Sequence, residues 1–259
     1  MKKLLLFDID GTLLHSPMND RFTRAILNLY GIQTEANEDY NGLTDPLIMR
    51  RILSVAHWDE QRIDEALPGL MKEAERVYIH NLQKGSVKLI PGVRELLDRL
   101  TALPVVLGLA TGNLQPVAQV KLHDVGIEDY FTVGGYGSDP HTERSQIVTV
   151  AMERAGYQNE KELVYLIGDT ERDIAAAQQA GVANSVGVMN DGRTEADLLE
   201  VALGEISAPG GVTATTLIAP VAEPLQRLRS GAVVPISEGE HEPRNRLKTA
   251  TSELAPSTI

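Results

Sequence analysis

Along most of this chain of 259 residues, short apolar runs alternate with segments of helical periodicity. The apolar runs predict buried strands at Lys3–Asp8, Pro104–Thr111, Tyr130–Val133, Leu163–Asp169, Ala183–Met189 and Thr216–Ala219. The segments between them predict helices at about Pro91–Ala102, Gln115–Val125, Glu143–Ala155 and Asp173–Ala180. Strands that are apolar throughout and separated by helices are typical of a parallel sheet covered on both faces. The sequence therefore predicts an α/β fold with a doubly wound parallel sheet.

One connection is far longer than an ordinary crossover between strands. Roughly 75 residues separate the segment "DGTLLHS" from Pro91, and they contain no convincing strand. They predict helices at about Met18–Tyr30, Asp45–Ala56 and Asp59–Leu82. We therefore expect a Rossmann-like core of residues 1–15 and 88–230, with a small α-helical cap domain of residues 16–87. Residues 231–259 are polar and aperiodic, which predicts a disordered tail.

The charge and the missing cysteines exclude several classes of function. The formal net charge is −12, from 24 basic and 36 acidic residues, which disfavours non-specific binding to nucleic acid or to anionic lipid. The chain has no cysteine, so disulfides, thiolate metal sites and cysteine nucleophiles are excluded. No apolar stretch is long enough for a signal peptide or a membrane span. We expect a cytoplasmic protein with no nucleic-acid or membrane partner, and the sequence leaves its oligomeric state open.

Polar residues follow three of the predicted strands, in "FDIDGT", "LATGN" and "LIGDTERD". In an open α/β sheet, ligands bind beyond the carboxyl ends of the strands, so these three segments should lie together. The first segment places Asp8 and Asp10 side by side at the end of a buried strand. Two carboxylates this close repel each other and resist desolvation, so the pair predicts a positive partner between them. A turn-forming role explains Gly11 but leaves the two acids unexplained.

The segments "DIDGTLL", "LATGN" and "GDTERDIAAAQQAG" resemble motifs I, II and IV of the haloacid dehalogenase-like hydrolases, in the same order and at similar spacing. The resemblance covers roughly residues 3 to 229. It is strongest to the phosphoglycolate phosphatase-like members, which carry a helical cap after motif I. It implies a phosphoric monoester hydrolase that acts on a small phosphorylated metabolite through an aspartyl-phosphate.

The resemblance also implies a role for each motif residue. Asp8 would be the nucleophile, and Asp10 would protonate the leaving alcohol and then activate water. The phosphate would be bound by Gly11 and Thr12, by the Thr111 hydroxyl, and by the amides of Gly112 and Asn113. Thr12 would also support the geometry of Asp10.

A metal site follows from the same motifs. Asp169 and Asp173 would join Asp8 and the Asp10 carbonyl in an all-oxygen site, which favours Mg²⁺. Alternatively, Asp169 and Asp173 could only cap a helix and complement its dipole. With the metal and a phosphate between them, the two charges at the end of the first strand can tolerate each other.

The third motif departs from the family, which normally has a lysine there. No lysine lies between Lys121 and Lys161, and Arg144 stands at about the expected place. An arginine brings a permanent charge and a fork that binds phosphate, so we predict that Arg144 supplies the cation. The alternative is that Arg144 is a surface residue, in which case His141 is the next candidate.

In the cap, "NGLTDPLIMRR" resembles the substrate-facing segment of the family. It predicts Thr44, Asp45 and Arg50 as substrate-binding residues, although each could equally be a helix cap or a solvated charge. Two other functions stay open at this point. A phosphomutase has the same motifs, and a non-catalytic regulator could keep the fold and bind a metabolite.

Overall fold

The computed structural model describes residues 2–17, 20–35, 40–140 and 143–188, together with the strand 214–218. The predicted tail at 231–259 and the alternative cation His141 lie outside the described residues. The cap boundaries were predicted at 15/16 and 87/88, and the division into domains stays a prediction.

A six-stranded parallel sheet forms the centre of the structure. Its strands are β1 (Lys3–Phe7), β4 (Val105–Thr111), β5 (Val133–Tyr136), β6 (Val164–Gly168), β7 (Asn184–Val188) and β8 (Ala214–Ile218). Their order across the sheet is β5-β4-β1-β6-β7-β8. The apolar β1 pairs with β4 on one side and β6 on the other, which brings the ends of all three together.

Helices cover both faces of this sheet, which confirms the α/β, doubly wound prediction. They are α4 (Val93–Thr101), α5 (Gln115–Val125), α6 (Arg144–Ala155) and α7 (Glu171–Gln179). Because successive strand residues point to opposite faces, Leu5 and Phe7 pack in one apolar cluster with residues of α4 and α5. Leu4 and Leu6 pack in a second cluster with residues of α6 and α7.

Along the chain, three helices follow the first strand and precede the remaining strands of the sheet, as the sequence predicted. They are α1 (Arg21–Tyr30), α2 (Asp45–Val55) and α3 (Glu60–Asn81). They bury an apolar cluster of their own that includes Ile26, Met49 and Leu70. We call residues 20–81 the helical insertion. Its two ends are joined by a short antiparallel ribbon, β2 (Leu14–His15) with β3 (Lys88–Leu89), which the sequence analysis did not predict.

The other differences from prediction are shifts of element boundaries. The strand expected at Tyr130–Val133 begins at Val133, because residues Glu128–Tyr130 form a 3₁₀ turn. The helix expected from Asp173 begins at Glu171, because Thr170 and Asp173 form a capping box.

Candidate active site

The carboxyl ends of β1, β4 and β6 border a cavity of about 360 Å³ that the helical insertion covers. The predicted site residues that line it are Asp8, Asp10, Gly11, Asp45, Thr111, Gly112, Asn113, Arg144 and Asp169. Arg21 and His15 also line it and were not predicted. Of the predicted residues, all of which fall in the described part of the chain, Thr12, Thr44, Arg50 and Asp173 lie outside this lining.

Three buried carboxylates form the acidic part of the site. One oxygen each from Asp8, Asp169 and Asp173 lies within 4.8 Å of the other two, which is close enough to hold a metal ion. All donors in this group are hard oxygen atoms, which fits a hard divalent cation. Thr12 donates its hydroxyl to Asp169 Oδ1 at 3.1 Å, so its side chain supports Asp169 and not Asp10.

The surroundings of Asp8 disfavour the ionised form of its carboxyl group. Burial is the largest cause, and together with the nearby carboxylates of Asp173, Asp169 and Asp10 it raises the pKa of Asp8 to about 7. The guanidinium of Arg144 opposes this shift. A buried acid with so high a pKa needs additional positive charge before it can act as an anion at neutral pH.

Asp173 caps a helix, which is one of the two roles that the sequence left as alternatives, and it also pairs with Arg144. Its Oδ2 accepts from the Thr170 amide at 3.1 Å and from the Thr170 hydroxyl at 2.7 Å, which caps α7. Its Oδ1 accepts from Arg144 Nε at 2.8 Å. A Cβ at Gly168 would lie 2.2 Å from Asp173 Cγ, so the end of β6 has room for this carboxylate only because residue 168 is glycine.

Arg144 is buried and lies at the start of α6, between two of these acids. Its Nη2 lies 2.8 Å from Asp8 Oδ2 and 2.6 Å from Asp173 Oδ1. Burial tends to lower the pKa of Arg144, but the carboxylates of Asp173 and Asp8 outweigh burial and raise it. The structure thus places a permanent cation against the predicted nucleophile.

Lys121 is a buried residue beside the site that sequence reasoning also missed. It is 1% exposed, and its ammonium donates to Asp10 Oδ1 at 2.8 Å, to Asp10 Oδ2 at 2.6 Å and to Asn113 Oδ1 at 2.8 Å. Its signal in the sequence is its spacing: it falls four residues after Val117 and three after Ala118, on the buried face of α5. A lysine at such a position needs an anion inside the protein.

Asp10 accepts further bonds from Ser16 Oγ at 2.7 Å and from Asn113 Nδ2 at 2.7 Å. Burial tends to raise the pKa of Asp10, but the charge and hydrogen bonds of Lys121, with the bonds from Asn113 and Ser16, outweigh it and lower the pKa to about 2. In this arrangement Asp10 is a carboxylate with four hydrogen bonds.

The loop after β4 joins the site to the helical insertion. Thr111 Oγ1 accepts from Asn113 Nδ2 at 2.9 Å, which orders the loop. A Cβ at Gly112 would lie 2.6 Å from Leu43 O, so only glycine lets the insertion approach this closely. The Asp45 amide donates to Gly112 O at 2.8 Å.

The three predicted residues of the insertion have different surroundings. Thr44 caps α2 by accepting from the Leu47 amide at 3.4 Å. Asp45 Oδ2 accepts from the Leu114 amide at 3.0 Å, and its Oδ1 accepts from Arg21 at 2.8 Å. Arg50 pairs instead with two acids of α3, Glu60 and Asp64.

Comparisons with known proteins identify related sequences and a similar fold. The model of the haloacid dehalogenase-like hydrolase family matches residues 5–188. A phosphoglycolate phosphatase of Vibrio vulnificus is 29% identical over 189 residues, which are 70% of this chain and 82% of that protein. A phosphorylated carbohydrates phosphatase of Thermotoga maritima is 27% identical over 216 residues, 77% of this chain and 92% of that one.

A solved structure of similar fold is that of a predicted phosphatase from Clostridium acetobutylicum, with a TM-score of 0.59 and 21% identity. It covers 83% of this chain and 94% of that chain. Within the described residues, every helix is too short or too polar to span a lipid bilayer. The family model matches well over half of the sequence, and the chain therefore belongs to the haloacid dehalogenase-like hydrolases.

Proposed function

We propose that the chain is a Mg²⁺-dependent phosphatase that hydrolyses a small phosphomonoester through an aspartyl-phosphate on Asp8. The observation that carries the proposal is the position of Asp8, which faces a cavity between a group of buried carboxylates and the guanidinium of Arg144. The relatives named as phosphatases of phosphoglycolate and of phosphorylated carbohydrates support a small phosphorylated metabolite as substrate.

The metal would be held by Asp8, Asp169 and Asp173, with the Asp10 carbonyl as a further predicted ligand. When bound, it supplies positive charge that lowers the repulsion between a carboxylate and a phosphate dianion. Arg144 adds a cation for the same phosphate, which would stabilise charge on the transferring group.

In the first half of the reaction, an Asp8 oxygen attacks phosphorus, and the bond from phosphorus to the substrate oxygen breaks. Asp10, a carboxylate in the free protein, has to bind a proton as the substrate enters; it then gives this proton to the substrate oxygen, which leaves as an alcohol. In the second half, water attacks phosphorus and loses a proton to Asp10, and the bond from phosphorus to Asp8 breaks. Both products, the alcohol and inorganic phosphate, are then formed, and Asp10 is protonated again.

Asp10 has to change partners during this cycle. Its four hydrogen bonds occupy both carboxylate oxygens, so it has to give up at least one of them to reach a substrate oxygen. Ser16 is the first residue of the predicted cap, and a movement of the cap would release its bond to Asp10. We propose that residues 16–87 act as a cap that closes over the substrate and excludes water.

The test is a phosphate-release screen across small phosphoesters, with Mg²⁺ and with a chelator, for the wild type and Asp8→Asn. We expect release with Mg²⁺ only, and none from Asp8→Asn, because an amide cannot attack phosphorus. A thermal melt controls for folding of the variant. If the wild type releases phosphate from no ester, generic aryl phosphates included, the proposal is wrong.

A further inference from the structure

Lys121 is buried behind the catalytic cavity, and one of its three hydrogen bonds has no role in the proposed reaction. The ammonium donates twice to Asp10 and once, at 2.8 Å, to Asn113 Oδ1. The two bonds to Asp10 balance a negative charge. The third bond reaches a neutral amide in the loop after β4, where the sequence predicted that phosphate binds.

The Lys121 ammonium fixes the direction in which the Asn113 side-chain amide faces. Because an ammonium has no acceptor, the amide oxygen has to face Lys121, and the amide nitrogen has to face the other way. On that side Nδ2 donates to Asp10 Oδ2 at 2.7 Å and to Thr111 Oγ1 at 2.9 Å. Asp10 favours the same orientation, but it has to give up at least one of its bonds to reach a substrate. The bond from Lys121 to Asn113 does not involve Asp10, so it can hold the amide throughout the reaction.

The orientation of the Asn113 amide decides in turn how the Thr111 hydroxyl can act. A hydroxyl group has two acceptor lone pairs and one hydrogen. Thr111 Oγ1 accepts from Asn113 Nδ2 and, at 3.3 Å, from the Asn113 backbone amide, so both lone pairs are in use. Its hydrogen is left for another acceptor, and Thr111 lines the cavity in which a phosphate would lie. With the amide reversed, Asn113 Oδ1 would accept this hydrogen, and Thr111 could no longer donate to a phosphate.

We propose that Lys121 is a positioning residue for phosphate binding, which acts through Asn113 to keep the Thr111 hydroxyl a donor toward the phosphate. The proposal rests on the proposed phosphatase function and assigns a further residue to that same site. Lys121 lies outside the cavity lining, so it acts through these two side chains. Its effect on phosphate binding therefore depends on the Thr111 hydroxyl, whereas a general effect of packing or charge does not.

The test measures the inhibition constant of inorganic phosphate during hydrolysis of 4-nitrophenyl phosphate in MgCl₂. Lys121→Met should raise this constant by about 10-fold, the lower end of the range for a hydrogen bond to a charged group. Thr111→Val removes the hydroxyl and should have a similar effect. In the Thr111→Val background, Lys121→Met should raise the constant by less than about threefold, because the hydroxyl that it positions is already absent. Partial unfolding would instead lower kcat and leave the inhibition constant unchanged.

Lys161→Met is the matched control. The Lys161 ammonium is partly buried and donates to the Ala180 carbonyl at 2.8 Å, outside the cavity lining, so this change should leave the inhibition constant unchanged. Asn113→Ala is the second variant, because it interrupts the same relay and keeps the backbone amide, and it tests the proposal even if Lys121→Met does not fold. It should raise the constant as much as Lys121→Met.

Three results would overturn the proposal. The first is a Lys121→Met variant whose inhibition constant stays within about threefold of the wild type, whatever its kcat. The second is an equal loss of phosphate binding in the wild-type and Thr111→Val backgrounds, which would show that Lys121 acts through charge or packing. The third is an Asn113→Ala variant that is inhibited like the wild type. A wild type that hydrolyses no phosphoester would refute the phosphatase function itself, so the two failures are distinguishable.

Discussion

At the scale of single residues, Arg144 has the clearest consequence for catalysis. Its guanidinium lies at ion-pair distance from both Asp8 and Asp173. Arg144→Ala should reduce kcat/KM by about 10²–10³-fold, as expected for the loss of one charge-stabilising donor. Arg144→Lys should recover much of this activity, because the ammonium keeps the charge and loses only the fork.

The matched control for Arg144 is Arg154→Ala. Arg154 lies on the same helix, is half exposed, and pairs with Asp139 away from the cavity lining. Surface substitutions of this kind usually change stability by less than about 0.5 kcal/mol, and kcat/KM should stay near that of the wild type. A nearly harmless Arg144→Ala would remove Arg144 from the reaction, and His141 would then be the residue to test.

Lys121 and Asp10 should be coupled in stability. Lys121→Met keeps the apolar stem but leaves Asp10 and Asn113 short of a donor, and we expect a loss of about 1–3 kcal/mol in the free energy of unfolding. The loss should lie near the lower limit, because the Asp10 side chain is 40% exposed. In an Asp10→Asn background the same change should cost much less, since the buried ammonium has already lost its counter-ion.

Urea denaturation at pH 7 of the wild type, the two single variants and the double variant measures this coupling as a double-mutant cycle. Effects of Lys121→Met and Asp10→Asn that add to within about 0.5 kcal/mol would show that the two side chains are energetically independent.

The residue scale also shows where sequence reasoning ends. Arg144 could be predicted because the family has a cation at its third motif and Arg144 stands at about that position in the sequence. The structure places it beside Asp8. Lys121 was passed over because helical periodicity gives the face of a side chain but not what lies opposite that face. The partner of Lys121 is 111 residues away in sequence, and only the packing of α5 against the end of β1 brings the two together.

At the scale of elements, two glycines should respond in opposite ways to the same substitution. Gly69 lies within α3 at an exposed position, and a Cβ there would meet only Leu29 Cδ1 at an ordinary 3.9 Å. Gly69→Ala should therefore stabilise the protein by about 0.5–1 kcal/mol through helix propensity. At Gly112 the added Cβ would lie 2.6 Å from Leu43 O and 2.9 Å from Thr44 Cα.

Gly112→Ala should therefore push the helical insertion away from the loop after β4 and lower phosphatase activity. Chemical denaturation and steady-state hydrolysis of both variants measure the contrast. A Gly112→Ala variant with wild-type activity would show that this contact is not needed in the catalytic cycle.

Helices and strands long enough to show a hydrophobic period were predicted well, and the two-residue strands of the ribbon were not. The helix Gln115–Val125 was predicted with its observed bounds, and Gly126 marks its end. The ribbon of β2 and β3 was missed because each strand has only two residues, too few for a period to show. The pairing of Leu14 with Leu89 depends on the whole fold and leaves no local signal.

At the scale of the whole molecule, stability should depend on pH through Asp8. Its pKa in the metal-free folded protein is about 7, against 3.8 in the unfolded chain. Between these values the folded state holds a proton that the unfolded state has lost, so stability should fall as pH rises from about 4 to 7 and then level off. Below about pH 4 both states hold the proton, so the stabilising contribution is fully present and no longer changes with pH.

A divalent cation competes with that proton, so its effect on stability should depend on pH. MgCl₂ should raise the Tm more at pH 8 than at pH 5.5, with NaCl of equal ionic strength as the control. Asp8→Asn should remove most of this difference. Equal shifts at both pH values in the wild type would show that Mg²⁺ binding is not linked to the ionisation of Asp8.

The ribbon has a consequence for protein engineering. Leu14 is paired with Leu89 and His15 with Lys88, so the chain leaves the core and returns to it at neighbouring points. A two-residue hairpin turn of the Asn-Gly type can close such a pair of antiparallel strands. We therefore expect that the gene segment for residues 16–87 can be deleted and replaced by a turn, or exchanged for the corresponding segment of a relative. The shortened protein would keep the core carboxylates and lose the insertion residues that line the cavity, so it should accept bulky phosphoesters such as phosphopeptides.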